Sequence, residues 1–158
     1  MSTDQPVSGP WTIDEIKLHL RRSIIPLRMA VLDRHCFPIM VSLWFLFDKG
    51  AIWCATPEQS HVVRYLTQKP RCGFEVSSDQ PPYRGVRGRA SVTLDKDLGP
   101  AVLERLLARY GVAPGSTLAK TLTARSSHEM AIRVEPIQYS SWDFSMRMAD
   151  ALQPRPIA

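Results

Sequence analysis

From Pro38 to Val76 the chain runs through two strand-like apolar segments, a tight turn and a helix-start signal, an order that requires paired strands with a helix packed close behind them. Pro38 to Phe47 is the first segment and Ala51 to Ala55 the second. Between them Asp48-Lys49-Gly50 supplies turn chemistry, with glycine where a positive φ is expected. Thr56-Pro57-Glu58-Gln59 then reads as a capped helix start. Thr56 suits the N-cap, Pro57 suits the first helical position because it has no N–H to leave unpaired, and Gln59 stands where a capping-box partner belongs. The free N–H groups and positive dipole end of such a helix can hold a phosphate, and His61 and Arg64 follow about one turn on. A well-capped surface helix without any ligand accounts for the same residues.

The flanking segments complete a small α+β pattern. Thr12-Ile13-Asp14-Glu15 is a capping box that predicts a helix over 12–22. Leu27 to Leu32, the turn Asp33-Arg34-His35 and the run from Pro38 predict a hairpin. Pro70 ends the capped helix by Lys69. Arg71 to Val76 and Val86 to Leu94 read as strands, with a loop from Ser77 to Pro82 between them. Pro100 to Tyr110 reads as an amphipathic helix ending at Gly111, and Ser116 to Ala124 as a shorter one. Met130 to Val134 is the last strand, and Ile137 to Phe144 extends it beyond the Pro136 interruption. The expected architecture is a small antiparallel barrel, mainly β, with helices packed outside. One domain spans 1–158, with 1–10 and 150–158, polar or proline-rich, as flexible tails.

Composition narrows the function classes. The net charge of +5 is spread along the chain without a basic tract, which argues against nucleic acid. Arg84, Arg87 and Arg89 fit a solvated strand edge or a small anion site. No window reaches the roughly 18 apolar residues of a membrane span and no apolar leader is visible, so a soluble cytoplasmic protein is expected. Cys36, Cys54 and Cys72 have neither disulfide nor zinc spacing, and the latter two lie in apolar runs that favour packing. His19, His35, His61 and His128 are isolated, so no metal site is expected. No GxSxG, HExxH, Walker or GxGxxG motif occurs. Ser126-Ser127-His128-Glu129 carries reactive residue types, but triad members meet through the fold and seldom as sequence neighbours. Trp44, Phe45, Phe47, Trp53, Trp142 and Phe144 read as core, or one or two of them border a planar ligand whose phosphate sits at Thr56.

Several segments in order carry a family likeness. Pro38 to Phe45, Gly50 to Thr56, Ser60, Arg64-Tyr65-Leu66 and Lys69-Pro70-Arg71 resemble the pyridoxamine 5′-phosphate oxidase-like family of FMN-binding split barrels. Pro82 to Gly88, Ile132 to Pro136 and Ser141 to Phe144 are similar to later strands of that family, so the likeness covers about residues 24–146. It implies a six-stranded antiparallel split barrel, a homodimer with FMN at the subunit interface, and a flavin-dependent oxidoreductase acting on a small-molecule substrate or electron donor. Alternatives within the same fold are a deazaflavin-dependent reductase and a flavin carrier without turnover. By position, Met40, Val41, Ser42, Leu43 and Trp44 would border the flavin, and Ala55 and Thr56 would meet its ribityl-phosphate end. Ser60, His61 and Val62 would form the phosphate corner with Arg64 as the nearest permanent cation, and Arg84 and Trp142 would contribute from neighbouring strands or the second subunit. Members commonly place Arg or Lys where His61 and Val62 stand. Met40 replaces an arginine of the oxidases proper, and their C-terminal Arg-Leu-x-Pro signature gives way to Ser145-Met146-Arg147-Met148, which argues against vitamin B6 oxidation.

Overall fold

The computed structural model describes residues 5–152. In chain order the elements are β1 (Val7–Ser8), α1 (Ile13–Arg22), β2 (Leu27–Leu32), β3 (Pro38–Leu43), β4 (Leu46–Asp48), β5 (Ala51–Pro57) and α2 (His61–Gln68). They continue as β6 (Arg71–Ser77), β7 (Arg84–Asp95), α3 (Gly99–Arg109), α4 (Thr117–Ala124), a single 3₁₀ turn at Ser126–His128, and β8 (Glu129–Asp143). The strands form one sheet in the order β3-β2-β6-β7-β8-β5-β4, with β1 added alongside β8. Every neighbouring pair on that path is antiparallel; β1 alone pairs parallel, Val7 opposite Tyr139 and Ser8 opposite Ser140.

The sheet curls on itself for a reason visible in its connectivity. Its two end strands, β3 and β4, are joined by Trp44 and Phe45 alone. Three virtual bonds hold the facing Cα atoms within about 11 Å. The two edges of the sheet therefore meet at this corner, which makes a split barrel. The interior is filled by Leu27, Met29, Val31, Ile52, Cys54, Phe74, Val76, Val86, Ile132, Val134 and Tyr139, joined by Ile16 and Leu20 of α1 and Val62, Val63 and Leu66 of α2. A second cluster lies outside the barrel, where Val102 and Leu106 of α3 pack on Leu46 and Ala131, with Trp44, Trp53, Ala55 and Tyr110 around them.

Three expectations need correction. Six strands become eight, because the run from Pro38 to Phe47 breaks at Trp44-Phe45 and because β1 is ordered against β8. Residues 5–10 are therefore not a free tail: Trp11 anchors them, its N–H donating to Ser141 Oγ (3.0 Å) and its indole N–H to Asp143 Oδ2 (3.3 Å). Residues 1–4 and 153–158 lie outside the described residues. Pro136 does not interrupt the last strand either. The ladder shifts register between Arg89 and Ala90, so that Pro136 faces Ala90, Gln138 faces Arg89, and Ile137 is the extra residue of a bulge. Helix α1 starts as expected: Thr12 Oγ1 accepts from Glu15 N–H and the Glu15 carboxylate accepts from Thr12 N–H (2.7 Å). No helix among the described residues is long and apolar enough to cross a membrane.

Candidate functional site

Along β3 the side chains alternate. Ile39, Val41 and Leu43 pack against the core, while Met40 and Ser42 face outward. Along β5, Ala55 packs toward α3 whereas Thr56 shares the inward face of Ile52 and Cys54. Where the ends of these strands meet, Ser42, Leu43, Trp44, Ala55, Thr56 and Pro57 line a cleft of about 260 Å³, closed by Leu103 and Leu106 of α3, Leu122 of α4 and Glu129 of β8. Trp44 is fixed there by stacking on Tyr110, with ring centroids 4.9 Å apart and planes 16° from parallel. The Tyr110 hydroxyl in turn accepts from Phe45 N–H (3.2 Å), and burial pushes its phenol above the ordinary value.

The start of α2 differs from the sequence reading. Thr56 is not the N-cap: it remains in the ladder opposite Met130, and Pro57 opposite Glu129. Glu58 N–H still donates to His128 O (2.8 Å), so strand pairing with β8 holds the chain extended past the residues that would otherwise begin the helix. The turn closes with Ser60 N–H donating to Pro57 O (2.9 Å), and Ser60 is the N-cap, its Oγ accepting from Val63 N–H (3.4 Å). Arg64 N–H donates to Ser60 O. The amides of His61 and Val62 make no hydrogen bond among the described residues, as expected of the first helical positions. The N-terminal end of the helix is thus four residues later than Thr56, though tied by the Pro57 carbonyl to the rim of the cleft. Only the backbone of Val62 is available there, because its side chain is 5% exposed and belongs to the core. His61 and Arg64 are exposed, and the His61 ring lies 6.2 Å from Tyr65.

The remaining predicted residues lie elsewhere. Met40, 60% exposed, sits on the outer face of the sheet, where it borders a second cleft of about 350 Å³ with Arg28, Ala30, Gly73, Arg87 and Gln138. Val41 points into the barrel. Arg84 and Trp142 belong to the paired ends of β7 and β8, and the Trp142 ring is covered by the Arg87 guanidinium at 5.0 Å. Within one chain, then, Ser42, Leu43, Trp44, Ala55 and Thr56 converge, Ser60, His61, Val62 and Arg64 adjoin them, and Met40, Arg84 and Trp142 do not.

The cleft also holds residues that pattern reasoning passed over. Leu103 and Leu106 were legible as a helix face, but nothing in their spacing says that they wall a cleft. Glu129 sits in a segment whose reactive composition was visible and whose destination was not. The two acids at this end have opposite surroundings. Glu58 accepts from Lys96 (2.7 Å) and His128 (3.3 Å), which hold its carboxyl below the usual range. Glu129 is 4% exposed, and burial raises it, against a smaller opposing effect of Arg125. No group of His, Cys, Asp and Glu suited to a metal ion occurs among the described residues.

No sequence-family model and no curated protein matches the chain. Solved structures do match in shape. An F420 reductase is 20% identical with a TM-score of 0.68, over 83% of this chain and 98% of its own. A conserved hypothetical protein from Mycobacterium tuberculosis is 19% identical with a TM-score of 0.73, over 99% of this chain and 98% of its own. A pyridoxamine 5′-phosphate oxidase-like protein from Listeria innocua is 15% identical with a TM-score of 0.64, over 81% of this chain and 95% of its own. With the curled antiparallel sheet described above, these likenesses give the chain the fold of the pyridoxamine 5′-phosphate oxidase-like split barrels.

Proposed function

We propose that this protein binds a flavin-type cofactor, FMN, in the cleft beside Trp44, and works as a homodimeric oxidoreductase on a small molecule. The observation that carries this reading is the convergence of Ser42, Leu43, Trp44, Ala55 and Thr56 in one cleft whose rim leads directly to the start of α2. The donor set suits a phosphorylated cofactor. His61 and Val62 offer free amides, Arg64 a permanent cation one turn on, and Ser42 a hydroxyl for a polyol chain. Leu103, Leu106 and Trp44 exclude water from the ring end. A bound flavin supplies hydride and electron transfer at its ring, so the chain need provide only orientation, a dry pocket and hydrogen bonds.

The second subunit enters the reading through Met40, Arg84 and Trp142, which cannot complete this cleft from their own chain. Met40 and Trp142, the latter beneath Arg87, share an outer sheet face whose floor is the small residues Ala30 and Gly73 and whose exposed apolar groups include Met40, Leu32 and Ile137, whereas Arg84 alternates to the opposite face beside Asp143. A second copy covering that face brings Met40 and Trp142 to its neighbour's cofactor. A deazaflavin is the second reading, favoured by the likeness to an F420 reductase.

The corner has fewer fixed charges than a strong phosphate site. A charge-assisted hydrogen bond is worth about 1.5–3 kcal/mol, so Arg64→Ala weakens FMN binding roughly tenfold to a hundredfold. Fluorescence titration with FMN and with the deazaflavin, alongside the visible spectrum of the purified protein, checks both readings. Saturable FMN binding that Arg64→Ala weakens is expected; a colourless protein that binds neither cofactor overturns the proposal. Reduction of the loaded protein by NADH or NADPH, followed by reoxidation with small-molecule acceptors, separates an enzyme from a carrier.

A further inference from the structure

Glu129 is the one acid that lines the cleft beside Trp44, and it also lines a neighbouring cleft of about 290 Å³ with Pro57, Glu58, Gln59, Arg125 and His128. Its side chain shares the outward face of β8 with Ala131, which packs beneath α3. The backbone beneath it is clamped by α3, since a methyl group on Gly99 would stand 1.9 Å from Glu129 O. In all, 96% of the residue's surface is covered, and the carboxyl, which still reaches solvent, has neither a hydrogen bond nor an ion pair among the described residues.

The charged neighbours explain why it is left alone. The turn between β5 and α2 presents Glu58, and the 3₁₀ turn presents His128; with Lys96 these form a closed network centred on Glu58. Arg125, at the end of α4, is the cation that acts on Glu129, and only through space. Helix α3, helix α4 and strand β3 contribute Leu103, Leu106, Leu122, Leu43, Trp44 and Ser42 to the cleft, none of them charged. A ligand filling the cleft removes what water remains at the carboxyl, and a carboxylate so enclosed with no partner is strongly disfavoured.

We propose that ligand entry protonates Glu129, whose carboxyl O–H then donates to an uncharged acceptor of the ligand where it passes between β8 and the start of α2. This rests on the flavin reading above. The proton comes from solvent, and no bond other than the carboxyl O–H is made. Burial already tilts Glu129 in that direction before any ligand arrives. Glu129 is on this view a positioning residue that holds this part of the ligand against β8.

Riboflavin is the appropriate probe because it lacks the phosphate, so its affinity does not register charges at the α2 corner. Titrated by fluorescence between about pH 5 and 8, riboflavin binding to the wild-type protein weakens with rising pH, by up to about tenfold per pH unit once the free carboxyl is ionised. Glu129→Gln abolishes this slope while keeping the affinity of the acid end, because the amide still donates. Glu129→Met abolishes it too, with about tenfold weaker binding for the lost hydrogen bond. Arg125→Gln moves the onset of the slope to higher pH, and His128→Asn leaves the slope in place. A flat wild-type profile, or a slope that survives in both Glu129 variants, overturns this inference and leaves the flavin reading standing. Absence of saturable riboflavin and FMN binding at every pH overturns both.

Discussion

The three thiols show how residue identity becomes chemistry only through position. Cys54 is wholly buried, and burial, with a smaller contribution from Cys72, drives its thiol far above the ordinary value; burial alone pushes Cys72 up to about 12. Cys36 is exposed, in a left-handed turn with φ 65°, and its sulfur lies 3.0 Å from the Lys69 ammonium. A thiolate-selective disulfide reagent at mild alkaline pH is therefore expected to modify Cys36 alone in the native protein and all three cysteines in denaturant. Peptide mass mapping after each reaction checks this, and rapid native labelling of Cys54 would contradict the packing described. That division was readable in advance, because Cys54 and Cys72 stand in apolar strands. The identity of the α2 cap was not. Thr56 and Ser60 are both good cap residues by side chain, and the choice falls to the ladder with β8, which lies more than seventy residues away. Tyr110 illustrates the same limit, since its hydroxyl and ring hold Phe45 and Trp44 from across the fold.

Among the elements, local signals carried furthest where the stabilising contacts are local. The capping box of α1, the proline that ends α2 and the apolar face of α3 each lie within a turn or two of the residues they organise. Strand limits depended on partners instead. The residues beyond Pro136 read as a strand resumed after an interruption; it runs on without one because the bulge at Ile137 of β8 shifts the register and accommodates the missing N–H. Helix α3 comes close against the β8 backbone beside the cleft, and Gly99 permits it. A Gly99→Ala chain must push the helix off Glu129 or distort its first turn, a destabilisation of about 1–3 kcal/mol by the usual cost of overpacking. Urea unfolding measures it directly, and weaker riboflavin binding should accompany it because the cleft wall moves with the helix. An unchanged midpoint would show that α3 does not seat against the carbonyl of Glu129.

The whole molecule responds to acid first through His19. Burial lowers its affinity for a proton, opposed by the Val76 carbonyl it contacts at 3.0 Å and aided by the charge of Arg84, so its folded pKa lies below the unfolded 6.5. The unfolded chain then binds a proton that the folded chain refuses, and stability falls as pH drops below about 6.5 through the folded value. Glu15, Glu58 and Asp143, all lowered by hydrogen bonds, add their losses only near and below the carboxylate range. Thermal melting between about pH 7 and 5 should show a decline that His19→Gln removes; an equal decline in that variant would acquit His19. The placement of His19 under Trp11 was not legible from the sequence, since it depends on residues 5–12 lying against β8. The likeness of ordered motifs did expose the split-barrel plan. That plan orders events on the ribosome. The strands β3-β2-β6-β7 can assemble as soon as they emerge, but β5 with its hairpin mate, and β1, all wait for β8. The cleft beside Trp44 therefore cannot form until β8 has emerged, long after its β3 and β5 walls have been made.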